Sequence, residues 1–247
     1  MFKPCVVIPV YNHENGVAAV ATAVVAQSLP CILVDDGSSP TCAALVDGLV
    51  RETCGAITLL RHPINRGKGA AVLTGIKHAA QAGYSHAVQI DADGQHRPSD
   101  IPRFLRLAEE RPRALIVGCP KYDGTVPALR FYARYLTHAW VSINTLSRQI
   151  KDSMCGFRVY PVAAVIDLAR RRNLGERMSF DIEVLVRLYW EGIEIIDVPT
   201  QVSYRSDNVS HFRGWLDNVL ISRAHAALFF GMLCRLPTLI ARRRSVP

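Results

Sequence analysis

The chain has 247 residues, 49% apolar and 20% charged, with 29 Lys and Arg against 21 Asp and Glu for a formal net charge of +8. That length holds one large α/β domain or two small ones with a substantial core, and the composition excludes a disordered or collagen-like polymer. The positive balance favours anionic partners: nucleotides, nucleic acid or an acidic lipid surface.

Taken in order, Cys5 to Ile8 is a β-branched run closed by Pro9, which reads as a strand buried on both faces. Asn12 to Gly16 makes a polar turn, and Val17 to Gln27 has a helical apolar pattern. Cys31 to Val34 is a second strand that ends in Asp35-Asp36-Gly37-Ser38-Ser39. Ser39 before Pro40 reads as a helix N-cap with proline at the first helical position. A helix to about Thr53 and a strand from Ile57 to Leu60 follow. The loop Asn65-Arg66-Gly67-Lys68-Gly69 opens a helix to Ala82. Ala87 to Ile90 is a strand, Asp100 to Glu110 a helix, and Leu115 to Val117 a strand. Leu129 to Gln149 and Phe212 to Leu239 read as long helices. Strands alternating with helices imply a mostly parallel sheet with right-handed crossovers.

Seven cysteines are scattered without CxxC spacing, several inside apolar runs, which fits a reducing cytoplasmic setting. The N-terminal apolar run, Cys5 to Val10, is short for a signal-peptide core. No stretch approaches the roughly 18 uncharged apolar residues of a membrane-crossing helix. The expectation is a soluble protein or one peripheral on the cytoplasmic face of a membrane.

The first-half strands end in polar or glycine-rich loops: Tyr11-Asn12, Asp35-Asp36, Asn65 to Lys68, and Asp91 to Gln95. In open parallel sheets, ligands bind outside the carboxyl ends of the strands, so these loops converge on one crevice. Asp91 and Asp93 follow a strand one residue apart, which puts both carboxylates on one side of an extended backbone. With the Gln95 amide oxygen they suit a hard divalent cation that shares its shell with water or phosphates. On this stretch alone, an acidic turn is an equal reading. Lys68, between two glycines at a helix start, suits phosphate. The dinucleotide fingerprint and the Walker A pattern are both absent.

Four segments in this order and spacing carry a resemblance: Val7 to Asn12, Val34 to Ser38, Asn65 to Ala70, and Asp91 to His96. Asp152 to Tyr160, Phe180 to Glu183, Val198-Pro199, and Arg205 followed by Ser210 extend it. Together they resemble the family 2 glycosyltransferases of GT-A fold, in particular the dolichyl-phosphate mannose synthase-like branch. One departure is Arg97, which stands where the branch has proline after its Gln-His. The resemblance implies a GT-A domain over residues 1–211, with a nucleotide-binding half (1–120), an acceptor half (121–211), and an amphipathic, basic tail (212–247). It implies that Pro9, Tyr11 and Asn12 border the nucleotide, with Asp35 beside Asp36, which reads the base, and Lys68 near base or phosphates. Asp91, Asp93 and Gln95 would hold Mg2+ or Mn2+ against the diphosphate of a UDP- or GDP-linked hexose. Arg205 would close over that diphosphate, and Arg130 and Arg134 would hold the phosphate of a polyprenyl or other lipid-linked acceptor, with inversion at the sugar.

Asp152 has two readings. It orients a phosphate acceptor, which needs no base, or it takes the proton from an alcohol or glycolipid acceptor. Asp181 and Glu183 read equally as site residues and as acids complementing a helix N-terminus. The tail either lies on an anionic leaflet, packs on the domain, or forms a homodimer contact. Two other classes rank lower. The basic residues are not interleaved with aromatics as in a nucleic-acid-binding module. A nucleotidyltransferase would carry a Gly- and Lys-rich loop where Tyr11-Asn12-His13 stands.

Overall fold

A computed structural model of the chain describes residues 1–121, 128–202 and 213–244, with the side chains of 128–133 and 243–244 outside the description. The first half runs β1 (Pro4–Val10), α1 (Glu14–Val25), β2 (Cys31–Asp35), α2 (Pro40–Glu52), β3 (Ile57–Arg61), α3 (Lys68–Gln81), β4 (His86–Gln89), α4 (Ile101–Glu110) and β5 (Leu115–Lys121). The second half runs α5 (Ala128–Thr145), β6 (Arg158–Pro161), α6 (Val162–Arg171), α7 (Phe180–Trp190), β7 (Ile195–Gln201), α8 (Gly214–Leu233) and α9 (Leu236–Arg244).

The seven strands form one sheet in the order β3-β2-β1-β4-β6-β5-β7. β3, β2, β1 and β4 pair in parallel, and so do β5 and β7. β6 runs antiparallel to both of its neighbours. The mostly parallel sheet is as expected from the alternation of elements; the reversed strand was not legible in it. β1 and β2 are buried along almost their whole length because helices cover both faces, so their β-branched runs show no alternation. One face packs Val17, Val20, Val46, Ile101 and Phe104 of α1, α2 and α4. The other packs Ile76, Val165, Val184, Leu188, Leu228 and Met232 of α3, α6, α7 and α8. Ser39 caps α2 by accepting from Cys42 N–H at 3.2 Å, with Pro40 at the first helical position.

Two helix ends differ from the sequence expectation. α5 stops at Thr145 because Leu146 turns left-handed (φ 51°). The Ser147 and Leu146 N–H groups then close back on Ser142 and Ile143 carbonyls, a Schellman stop, which leaves Arg148 beyond the helix. The C-terminal helix is broken after Leu233, and α8 and α9 meet at 79°. Pro237 explains the break: it has no N–H, and its ring would clash with the Leu233 carbonyl of a continuing helix.

Candidate active site

Parallel β1, β2, β3 and β4 deliver their carboxyl ends to one edge, and β1 lies at the point where connections leave to either side. The β1 and β2 loops are tied together. Asn12, at φ 50°, accepts the Ser39 N–H on Oδ1 at 2.7 Å and donates its own N–H to Ser38 Oγ at 3.1 Å. Pro9 is buried inside β1, whereas Tyr11 and Asn12 are half-buried at the loop.

Asp35 and Asp36 are buried and heavily engaged. Asp35 accepts from Ser38 N–H at 2.9 Å and Arg61 Nε at 2.8 Å. Asp36 Oδ1 meets His62 Nδ1 at 2.6 Å and Arg66 N–H at 2.9 Å, and its Oδ2 accepts from Asn65 Nδ2 at 3.1 Å and Gly67 N–H at 2.7 Å. Four partners fill the lone-pair sites of that carboxylate. In this arrangement Asp36 grips the loop that ends in Lys68; a base-reading role would require it to release one of these partners. Gly67 is needed at the turn, since its φ of 111° is open to glycine alone at little cost.

Lys68 begins α3 and lies between two carboxylates, 2.8 Å from Asp91 Oδ2 and 3.0 Å from Asp181 Oδ2. Burial alone would lower its pKa, but the charges of Asp181 and Asp91 outweigh burial and raise it above the lysine range. Burial likewise opposes ionisation of Asp91, yet the Lys68 charge and hydrogen bond win and hold its pKa low. Asp93 behaves oppositely. Burial and the neighbouring Asp91 charge push its carboxyl up to about 6. The expected strand ends at Gln89, so Asp91 and Asp93 stand in the turn beyond it, and strand alternation is not what orients them.

A buried network fixes this cluster from below. Arg158, at the start of β6, is fully buried and donates to the carbonyls of Cys155 (2.7 Å), Asp181 (2.6 Å) and Ser153 (2.8 Å). Gln89 donates to Asp181 Oδ1 at 3.3 Å and accepts from Tyr160 Oη at 3.0 Å. Three carboxylates (Asp91, Asp93, Asp181) thus face two cations (Lys68, Arg158).

A divalent cation fits that imbalance. Asp91 Oδ1 is buried without a hydrogen-bond partner, beside an Asp93 whose ionisation is opposed by burial and by the Asp91 charge. Among the described residues no three His, Cys, Asp or Glu cluster as a closed metal cage. Asp91 and Asp93, with Gln95 beside them, would instead offer an open set of oxygen ligands of the kind that Mg2+ and Mn2+ accept.

The antiparallel run of β6 brings the Asp152–Phe157 loop to the same edge, where Gln89 pairs with Arg158. A Cβ on Gly156 would collide with Asp91 Oδ2 and Lys68 Nζ, so only glycine lets the loop pass over the ion pair. Asp152 is buried. Its Oδ1 accepts the N–H groups of Met154 (2.9 Å) and Cys155 (2.7 Å). Its Oδ2 accepts Arg134 Nε at 2.8 Å and a second guanidinium hydrogen bond. His138 Nε2 stands 3.8 Å away. Arg130 lies one helical turn before Arg134 on α5, its side chain outside the described residues. Arg205 and Ser210 also fall outside them, although the described chain reaches the edge at Val202, which bridges to His96.

The structure therefore gathers Lys68, Asp91, Asp93, Arg134 and Asp152 at one edge, together with Asp181, which the sequence left between a site role and a helix-terminus role, and it adds Arg158, Gln89 and Tyr160. Besides the segments Asp152 to Tyr160 and Phe180 to Glu183, a lone Gln in the apolar run Ala87-Val88-Gln89-Ile90 was a signal of that network in the sequence.

A sheet of this topology with acidic loops at its switch point is that of a GT-A-type fold. A model of the family described as glycosyl transferase family 2 matches residues 5–168, and the chain belongs to that family. It is 28% identical over 221 residues to polyprenol monophosphomannose synthase of Mycolicibacterium smegmatis, across 86% of this chain and 82% of the relative. It is 25% identical over 214 residues to UDP-N-acetylglucosamine--dolichyl-phosphate N-acetylglucosaminyltransferase of Methanococcus voltae, across 80% and 84%. In fold it is similar to glucosyl-3-phosphoglycerate synthase of Mycobacterium tuberculosis, solved with Mn2+, UDP-glucose and phosphoglyceric acid (TM-score 0.66, 15% identity, 94% of this chain and 79% of that one). The protein is a glycosyltransferase, akin to the dolichyl-phosphate sugar synthases as the sequence motifs implied.

Proposed function

We propose that the protein transfers a hexose, with inversion, from a UDP- or GDP-linked donor to a polyprenyl phosphate or a related lipid-linked phosphate. Asp91, Asp93 and Gln95 hold Mg2+ or Mn2+ in this reading, and the orphaned Asp91 oxygen supports that assignment. The cation would stabilise the charge that collects on the diphosphate as the sugar–phosphate bond breaks. Lys68, retained by Asp181, meets the same diphosphate at the start of α3. Arg205 is the arginine that closes over it. Mn2+ and UDP-glucose in the solved mycobacterial synthase support the donor and metal class, and the names of the two relatives support the acceptor class.

The observation that carries the acceptor's chemistry is the state of Asp152. Four hydrogen bonds fill its carboxylate, so no lone pair remains to take a proton from an alcohol. A phosphate oxygen is already ionised and attacks without a base. Asp152 is then a positioning residue that fixes the Arg134 guanidinium by one edge, and Arg134 with Arg130 binds the acceptor phosphate.

The test is transfer from UDP- and GDP-hexoses, with Mg2+ or Mn2+, to a polyprenyl phosphate and to the matching polyprenol. Product is expected from the phosphate alone and is abolished by EDTA. Equal transfer to the alcohol would restore Asp152 as a base, and undiminished transfer in EDTA would remove the metal.

A further inference from the structure

We propose that the solvent side of α5 and α8 is a docking face that seats the protein on an anionic lipid bilayer. This deepens the lipid-acceptor reading by saying where the membrane meets the chain. Its test uses neither donor nor acceptor, so it stands or fails apart from that reading.

α8 is apolar on two opposite sides. Ile221, His225, Leu228 and Met232 are buried on one of them, and the helix packs against α5 and α7. At about 100° per residue, Trp215, Val219, Ala226, Phe230 and Leu233 share the other side within about 60° of one another. All five are exposed, Trp215 by 85% and Phe230 by 67%. A helix that is apolar all round belongs inside a protein or a lipid phase. This one has protein on one side only.

α5 widens the face. Tyr135, Leu136, Trp140 and Ile143 are exposed on it, Leu136 by 64%. The Trp140 ring lies 6.1 Å from His225 and 6.3 Å from Phe229, whose ring is 5.9 Å from Phe230. Aromatic contact therefore joins the two helices where their apolar sides emerge. Of the 12 large hydrophobic side chains exposed among the described residues, 10 lie on α5, α8 and α9, which makes this a patch and not scatter.

Charge selects the occupant. Residues 213–244 contain one acid, Asp217, and six arginines, of which Arg213 and Arg223 are exposed, while Arg235 lies over the Trp190 ring and Arg242 donates to the Tyr189 and Trp190 carbonyls. Asp217 is buried and accepts the Arg213 N–H at 2.7 Å, so the segment shows solvent no carboxylate among its described side chains. Arg223 is exposed beside the apolar stripe. Arginines flanking a Trp- and Phe-bearing face attract acidic headgroups while the rings settle at the interface. A symmetric contact between two copies would set these arginines against each other. No single described helix is long and apolar enough to cross a membrane, and α8 and α9 pass that test only as a pair bent by 79°. The protein packed against the buried side of α8 favours an interfacial contact over a crossing. Arg134 precedes Tyr135 on α5, which puts the proposed acceptor-phosphate site at the rim of this face.

The full chain is sedimented with phosphatidylcholine vesicles, with and without phosphatidylglycerol, at low and high salt. Pelleting is expected with the acidic vesicles and should weaken as salt rises. Trp215→Ser combined with Phe230→Ser should lower the vesicle partition by about tenfold or more, with little change in thermal midpoint because both side chains are exposed. A wild-type chain that stays in the supernatant at low salt overturns the proposal. So does a double variant that pellets like wild type. A salt-independent dimer that excludes vesicles and dissociates in the double variant reassigns the face to a contact between copies.

Discussion

Two acidic pairs stand at the same sheet edge, Asp35-Asp36 after β2 and Asp91/Asp93 after β4, and in sequence they look interchangeable. Their surroundings separate them. Asp35 and Asp36 are buried beneath six hydrogen-bond partners drawn from residues 38 to 67. Asp91 has Lys68 on one oxygen and no partner on the other, and Asp93 is pushed up to about 6. The carboxylates of the first pair are occupied by the fold itself, whereas the orphaned oxygen of the second, at an open edge, supports the proposed metal.

The largest expected effect tests the open pair. Asp93→Ala should cut transfer on the order of a thousandfold and leave the thermal midpoint nearly unchanged. If steady-state rates hold while the midpoint drops, the contrast is inverted. Asp36→Ala should do the reverse: it strands the buried Gly67 N–H and frees His62 and Asn65, a loss of about 3 kcal/mol in chemical denaturation. Next comes Gly156→Ala, whose methyl group meets Asp91 and Lys68 directly. It should weaken metal-dependent nucleotide binding by roughly ten- to a hundredfold in a titration, with a smaller change in stability.

The smallest effect sharpens what an orphaned atom means. His225 Nε2 and Asn144 Oδ1 are also buried without partners, but they lie between α8 and α5 and not at the edge. Burial lowers the His225 pKa to about 4, against about 6.5 in the unfolded chain. Between those values only the unfolded chain takes the proton. Stability is therefore full above about pH 6.5 and falls, by no more than about 3 kcal/mol, as pH drops toward 4. His225→Gln should reduce the slope of this part of a pH series of denaturant midpoints, while His96, which burial also lowers to about 4, retains its own share.

Much of the first half of the fold was legible because its cues are local. Apolar runs of four to seven residues end in Asp, Asn or Gly, and the Ser39-Pro40 cap and the glycines around Lys68 mark helix starts. The rest depends on contacts remote in sequence. Asp181 meets Lys68 across more than a hundred residues, and nothing near it separates an active-site acid from one that merely favours a helix N-terminus. Arg158 looks like a surface charge until β6 buries it. The left-handed Leu146 gives no composition signal, since glycine or asparagine is the usual residue there. Pro237 did signal the break between α8 and α9, but the apolar residues on either side concealed it.

The reversed strand β6 also gives the sheet a seam. Among the named strands of the described residues, the block β3-β2-β1-β4 and the pair β5-β7 are joined through these four residues. The same four residues include Arg158 and Tyr160, which tie the strand to Gln89 and Asp181. Amide protons along β6 should therefore exchange with the slowest, global opening of the molecule. A ligand that tightens the Asp91–Lys68–Asp181 cluster should slow exchange on both sides of the seam together, so that occupancy at the edge is felt as cooperativity across the whole sheet.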